Sequence, residues 1–295
     1  MKLEHFEIEP RGPFALSSAA RFIAGWPPAA RDPHAVVSDE VRLGFLVDDW
    51  SGHAGVLLRQ REDGIVAATI TDSTAADPHR VRDQVARIVS LDHDGAGYGA
   101  LGESDDVVGD LQRRSGWLRP VLFHSPFEAA CWAVISTRMR QTMAARVRDR
   151  LCTEHGQRLT GEGQALLGFP APERLLSVDE VQGLSEEKLR RLHGIARSAL
   201  EGRLDRERLL ALDHEDALAQ LRQLPGIGRF WSQGIMLRAV GPTDAITLDE
   251  PRMRAKAADL YRAPDVIEGD DALLALAERW RPFRTWVTVL LRAAG

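Results

Sequence analysis

A mostly α-helical chain led by a small α+β domain with an antiparallel sheet is the fold class predicted by three observations. Apolar and polar residues alternate over the first 75 residues, and apolar residues recur at helical spacing from Asp77-Pro78 onward. A hexapeptide, Leu-Pro-Gly-Ile-Gly-Arg at 224–229, then joins two of the helical stretches through a very short turn.

The elements follow in order. His5 to Glu9 alternates, Val41, Leu43, Phe45 and Val47 keep period two, and two short strands flank the Glu62-Asp63-Gly64 turn. One helix is expected from about Ser17 to Ala24 within this sheet domain. Its histidines, His5, His34 and His53, read as surface or packing residues rather than ligands. Val81, Val85, Ile88 and Val89 define the next helix, and Phe127 to about Leu151 reads as one long helix. Further helices are expected over Ser185–Ala199, Glu215–Arg222, Arg229–Val240, Pro251–Tyr261 and Asp271–Ala293, with polar linkers such as Asp94-Gly95-Ala96-Gly97 and Gly161-Glu162-Gly163. At 295 residues and 44% hydrophobic content, two domains are expected: 1–75 as α+β and 76–295 as all-α.

Composition excludes several classes of protein. No apolar run approaches 18 residues and no charged-then-apolar leader follows Met1, so neither a membrane span nor secretion is expected, and the cytoplasm is the default. Cys131 and Cys152, the two cysteines, lack metal-ligand spacing and read as buried small hydrophobes. The net charge of −5 argues against a generally polyanion-binding surface, yet local patches decide binding. Five arginines stand against one aspartate from Arg138 to Arg150, and Arg252, Arg254 and Lys256 form a second basic run. Phosphate contacts or solvated helix faces both account for them.

The hexapeptide carries a physical argument. Pro225 ends the first helix, while Gly226 and Gly228 permit positive φ and remove Cβ atoms that would hold a phosphate away. Leu224, Ile227 and Arg229 complete a turn whose amides can point at an anion. Such a hairpin grips a nucleic-acid backbone without reading sequence; the alternative is a plain Pro-Gly corner between packed helices. About twenty residues further on, Asp249 and Glu250 stand side by side in Thr-Leu-Asp-Glu-Pro-Arg.

Leu224 to Tyr261 resembles the helix-hairpin-helix DNA glycosylase superfamily, in particular its AlkA-like DNA-3-methyladenine glycosylase II branch. The resemblance extends to Arg119-Pro120, Ser125 to Ala130, Val134-Ile135-Ser136 and Arg279 to Arg284, and spans most of residues 80–292. It implies a glycosylase domain of two helical lobes with a DNA cleft between them, acting as a monomer on double-stranded DNA with damaged bases near the nucleoid. A carboxylate at the start of the helix after the hairpin faces the sugar in that family; residue type favours Asp249 and gap-free register favours Glu250. The aromatic candidates for a flipped-base pocket are Phe230, Trp231, Trp132 and Trp286, and the residue filling the vacated stack is Arg138 or Met139. Departures stand at Thr137, Gly234 and Arg292.

The resemblance also bears on mechanism. Bifunctional members attack the sugar with a lysine just after the hairpin. Here that position is Phe230, and the only lysines are Lys2, Lys188 and Lys256, so a hydrolytic, monofunctional enzyme for alkylated bases is expected. No cofactor is expected: four cysteines are needed for the iron–sulfur cluster of some relatives, although a monovalent cation at the hairpin carbonyls stays open. Two alternatives are a non-catalytic hairpin protein that binds bent or damaged DNA, and the hairpin module of a nuclease or polymerase, for which no separate acidic metal cluster is present.

Overall fold

The computed structural model describes residues 4–26, 28, 40–75 and 77–294. Strands β1 (Glu4–Ile8), β2 (Glu40–Leu46), β3 (His53–Gln60) and β4 (Val66–Ser73) form one antiparallel sheet in the order β1-β4-β3-β2. Helix α1 (Leu16–Gly25) and helix α2 (Pro78–Ile88) pack on it, burying Leu16, Phe45, Val56, Leu58, Val81 and Ile88 in one core. The period-two pattern puts Phe45, Val56 and Leu58 on the same face of the sheet, so this part of the chain follows its sequence closely. The His5 ring meets Thr69 Oγ1 at 3.0 Å and His53 Nε2 donates to the Phe169 carbonyl at 2.8 Å, whereas His34 lies outside the described residues.

Helices follow: α3 (Ala96–Ser104), α4 (Asp106–Ser115), α5 (Pro126–Ser136) and α6 (Gln141–His155). The long helix expected from Phe127 to Leu151 is therefore two. The chain turns at Thr137–Arg140, where Arg138 takes a left-handed φ of 54°. Lys188 Nζ holds this break by donating to the Ile135 and Thr137 carbonyls at 2.7 and 2.8 Å, which satisfies groups a continuing helix would have bonded internally.

The expectation that residues 76–295 are all-α is also corrected. Strands β5 (Gln157–Gly161) and β6 (Gln164–Gly168) form a hairpin about Glu162 and Gly163, both at positive φ, in what reads as a linker by composition. Its Leu159 and Leu166 are buried, and the hairpin lies against the N-terminal sheet: Thr71 Oγ1 donates to the Thr160 carbonyl at 2.6 Å. A Cβ at Gly44 on β2 would come within 2.8 Å of Leu166 Cβ, so the close approach depends on that glycine.

The remaining helices are α7 (Pro172–Leu176), α8 (Glu186–Leu200), α9 (Arg206–Ala211), α10 (His214–Arg222), α11 (Arg229–Ile235), α12 (Pro251–Tyr261), α13 (Asp270–Ala277) and α14 (Arg284–Ala293). The single helix expected from Asp271 to Ala293 is interrupted between α13 and α14, where Pro282 has no N–H to continue the ladder. One core lies among α5, α6, α8, α10 and α11, and another among α3, α4, α12, α13 and α14. Two helical groups thus meet beside the sheet. Among the described residues no helix is long and apolar enough to cross a membrane.

Candidate active site

The hairpin is held from behind. Leu224 and Ile227 are buried, Ile227 N–H donates to the Leu224 carbonyl at 3.1 Å, and Gly226 takes a φ of 84° that favours glycine. A Cβ at Gly194 on α8 would lie 2.6 Å from Pro225 Cγ, so the proline seats directly on that helix. Gly228 differs from Gly226. Its φ of −98° suits any residue, and a Cβ there would meet nothing within 4 Å. Neither backbone strain nor packing calls for glycine at 228, and what lies outside it is open space.

Helix α11 continues into a π-helical turn, Met236–Val240, that ends at Gly241 with φ 74°. Gln233 on α11 anchors the segment carrying the two carboxylates. Its Oε1 accepts from Thr247 Oγ1, from Leu248 N–H at 3.1 Å and from Asp249 N–H at 3.3 Å. One buried amide oxygen therefore sets where Asp249 and Glu250 stand relative to the hairpin.

The adjacent carboxylates point to different places. Asp249 accepts from Arg229 Nε at 2.5 Å, on the hairpin side, in a pair with 59% of the arginine side chain and 30% of the aspartate exposed. Glu250 caps α12 by accepting from Arg252 N–H at 3.1 Å and also accepts from Arg292 Nε at 2.9 Å. Pro251 follows at the first helical position, where its fixed φ fits.

Glu250, and not Asp249, lines a cavity of about 670 Å³ beside the hairpin. Phe230, Trp231, Trp132 and Met139 share that lining, together with Gly234 and Arg292. Phe230 is 48% exposed and meets Trp231 edge-on at 5.4 Å. Trp286 does not join them. It is buried against Tyr98 (5.0 Å) and Phe283 (5.0 Å), with the Arg119 guanidinium 5.0 Å from its ring, so it is a core residue and its assignment to the pocket is corrected. Arg138 is exposed at the turn between α5 and α6, while Met139 faces the cavity.

Some expected phosphate contacts are otherwise engaged. Arg254 is buried and donates to the Leu248 and Val266 carbonyls at 2.8 and 2.9 Å and to Asp270. Arg148 is buried against Glu128, whose other oxygen is 2.9 Å from His124 Nδ1. Burial raises the Glu128 carboxyl, but His124 and Arg148 outweigh it and hold the group well below the usual carboxylate range.

Several lining residues escape sequence reasoning. Arg21 and Phe22 come from α1 and Trp26 directly follows it, so the N-terminal part of the chain contributes a wall of the cavity. Arg238, on the π-helical turn, lies between the Phe22 ring (5.0 Å) and the Trp26 ring (4.6 Å) and donates to the Val121 carbonyl at 2.8 Å. The signal was present: Trp231, Gly234 and Arg238 fall on one helical face.

Comparison with known proteins fits this geometry. No family model matches the chain. The solved 3-methyladenine DNA-glycosylase from Archaeoglobus fulgidus superposes with a TM-score of 0.76 over 97% of this chain and 96% of that one, at 20% identity. The chain has the helix-hairpin-helix DNA glycosylase fold. In sequence it is similar to the DNA-3-methyladenine glycosylase of Bacillus subtilis (strain 168), 22% identical over 205 residues, and to DNA-3-methyladenine glycosylase 2 of Escherichia coli (strain K12), 27% identical over 164 residues. These matches cover 68% and 54% of this chain, and span 67% of the first relative and 54% of the second.

Proposed function

We propose that the chain is a monofunctional DNA glycosylase of base excision repair, hydrolysing the N-glycosidic bond of damaged bases in double-stranded DNA, alkylation damage being what its relatives are named for. The observation that carries this reading is the gathering of Glu250, Phe230, Trp231, Trp132 and Met139 around one cavity beside the hairpin.

The hairpin amides at Gly226 and Gly228 hold a phosphate, and the damaged nucleotide rotates out of the stack at a cost of roughly a few kcal/mol. Met139 enters the vacated space. The base lies against Trp231, Trp132 and Phe230, and its sugar comes to Glu250. As the C1′–N bond lengthens, positive charge grows on the sugar. An ionised Glu250 stabilises that charge and takes a proton from the attacking water. Arg292 Nε donates to the Glu250 carboxylate at 2.9 Å in the free protein and so helps to orient it at the cavity wall. With phenylalanine at 230, no amine stands after the hairpin to open the sugar, so hydrolysis ends at the abasic site.

A second reading, a non-catalytic protein binding damaged or bent DNA, is motivated by the same Glu250–Arg292 pair, which engages the carboxylate the chemistry needs. The two separate on duplexes carrying alkylated or deaminated bases. Release of free base by the wild type, lost in Glu250→Gln and kept in Asp249→Asn, is the expected result. Tight binding to an abasic-site duplex with no release from any substrate establishes the second reading instead.

A further inference from the structure

The cavity is unusually cationic for a site meant to take methylated purines. Purines methylated at N3 or N7 in DNA carry a positive charge, whereas deaminated and O-alkylated bases are neutral and present oxygen acceptors. Four arginines, Arg21, Arg238, Arg252 and Arg292, line the cavity among the described residues, against the single carboxylate of Glu250. Arg21 and Arg252 are exposed, as a phosphate contact requires. Arg238 is not placed for that. It is pinned between two rings and a carbonyl, and no carboxylate among the described residues is within ion-pair distance of it. Burial, then Arg292, lowers its pKa to about 10, and Glu250 opposes this less strongly, so the guanidinium stays charged at neutral pH.

The polar groups around the cavity are also short of partners. Six enclosed side-chain polar atoms lack one among the described residues, and three of them, Ser136 Oγ, Arg238 Nε and Thr288 Oγ1, belong to residues lining this cavity. Enclosed polar atoms without partners are costly, so the wall of this cavity carries polar groups that the fold itself leaves uncompensated.

We propose that the cavity selects neutral, carbonyl-bearing damaged bases over cationic methylated purines, with Arg238 and Arg292 as the specificity-determining residues. This rests on the glycosylase reading for its chemistry. A cationic base departs neutral and needs little help. A neutral base departs as an anion: the C1′–N electron pair passes to the base, water oxygen bonds to C1′, and the proton taken from that water by Glu250 returns to the base. Arginine donors near the carbonyl oxygens stabilise the charge that develops on the leaving base. A cationic base would instead meet like charge in an enclosed site.

The test compares two purines that share the O6 carbonyl and differ in charge, hypoxanthine and 7-methylguanine, each placed singly in the same duplex. Excision is measured alongside binding to their 2′-fluoro analogues, whose sugar resists cleavage. The wild type is expected to favour hypoxanthine by about tenfold or more in both measurements. Arg292→Met and Arg238→Met should bring the ratio to near unity or below, with folding checked by circular dichroism. If Arg238→Met does not fold, Arg292→Met alone carries the test. A wild-type preference for 7-methylguanine, or a ratio unmoved by the substitutions, overturns the inference while any excision upholds the glycosylase reading. A binding preference that depends on the arginines without any excision does the reverse.

Discussion

The charged cluster at Glu128 and the charged cluster at Glu250 are completed differently. At Glu128, a histidine and an arginine meet one carboxylate inside the protein: His124 and Arg148 take one oxygen each, and the Glu128 N–H donates to Ser125 Oγ at 3.1 Å. At Glu250, the carboxylate holds one arginine and a helix N-terminus, while Arg238 is left with rings and a carbonyl. The first cluster is buried and serves the fold, its carboxylate fully engaged although Arg148 Nε has no partner among the described residues. The second is open to a ligand, and it stands where the aromatic residues gather.

The largest effect that sharpens this contrast is on stability. Glu128→Ala leaves the buried Arg148 with only Asp149, 3.5 Å away, to offset its charge, so the free energy of unfolding should fall by about 3–5 kcal/mol in urea titration. The pH dependence follows in sign. The folded-state pKa of Glu128 lies below its unfolded value, so its contribution is complete above about pH 4.3 and is lost as pH falls through the folded value. Acid melting of the wild type should therefore steepen below that point, and Glu128→Gln should flatten it. A variant as stable as the wild type would break the comparison at its firmer end.

Next comes activity. Glu250→Gln should reduce base release by about 10²–10³ under single-turnover conditions. Its stability should change by less than about 1 kcal/mol, because the pair with Arg292 is partly solvated and the amide oxygen can still cap α12. Asp249→Asn, which touches only the exposed pair with Arg229, should leave turnover near that of the wild type. The reverse pattern would move the chemistry to the hairpin side.

How much of this was legible follows from what each signal depends on. The sheet, the hairpin and α12 rest on local periods and on proline and glycine chemistry, and these are written in contiguous residues. The β5–β6 hairpin escaped because Gly161-Glu162-Gly163 reads as a linker, and its two short strands gain their burial only against the distant β2–β4 sheet. Trp286 shows the same limit: an apolar helical face looks alike whether it meets a cavity or Tyr98 and Arg119. Of two adjacent carboxylates, the one that lines the cavity is decided by Gln233 sixteen residues before Asp249, which no local pattern records.

That anchor supplies the next test. Gln233→Leu removes the acceptor shared by Thr247 Oγ1 and the Leu248 and Asp249 amides, the first bond buried and the other two part-buried. A cost of about 1–3 kcal/mol is expected from the stranded donors. Base release should fall as well, since the segment leading to Glu250 loses its tie to the hairpin helix. Full activity in a destabilised variant would mean that the Pro251 helix start alone positions the carboxylate.

The smallest effect concerns the hairpin itself. Gly228→Val adds a side chain into open space at a backbone conformation valine accepts, so unfolding should shift by no more than about 0.5 kcal/mol. A phosphate approaching that amide would be displaced, and losing one such contact corresponds to about tenfold in affinity for an abasic-site duplex. Gly226→Ala, at a φ of 84°, should instead cost stability, because L residues are strained there. The two glycines of one turn thereby separate folding from binding: if Gly228→Val binds DNA as the wild type does, the open face of the turn is not where the backbone is held, and the grip must come from the exposed arginines around the cavity.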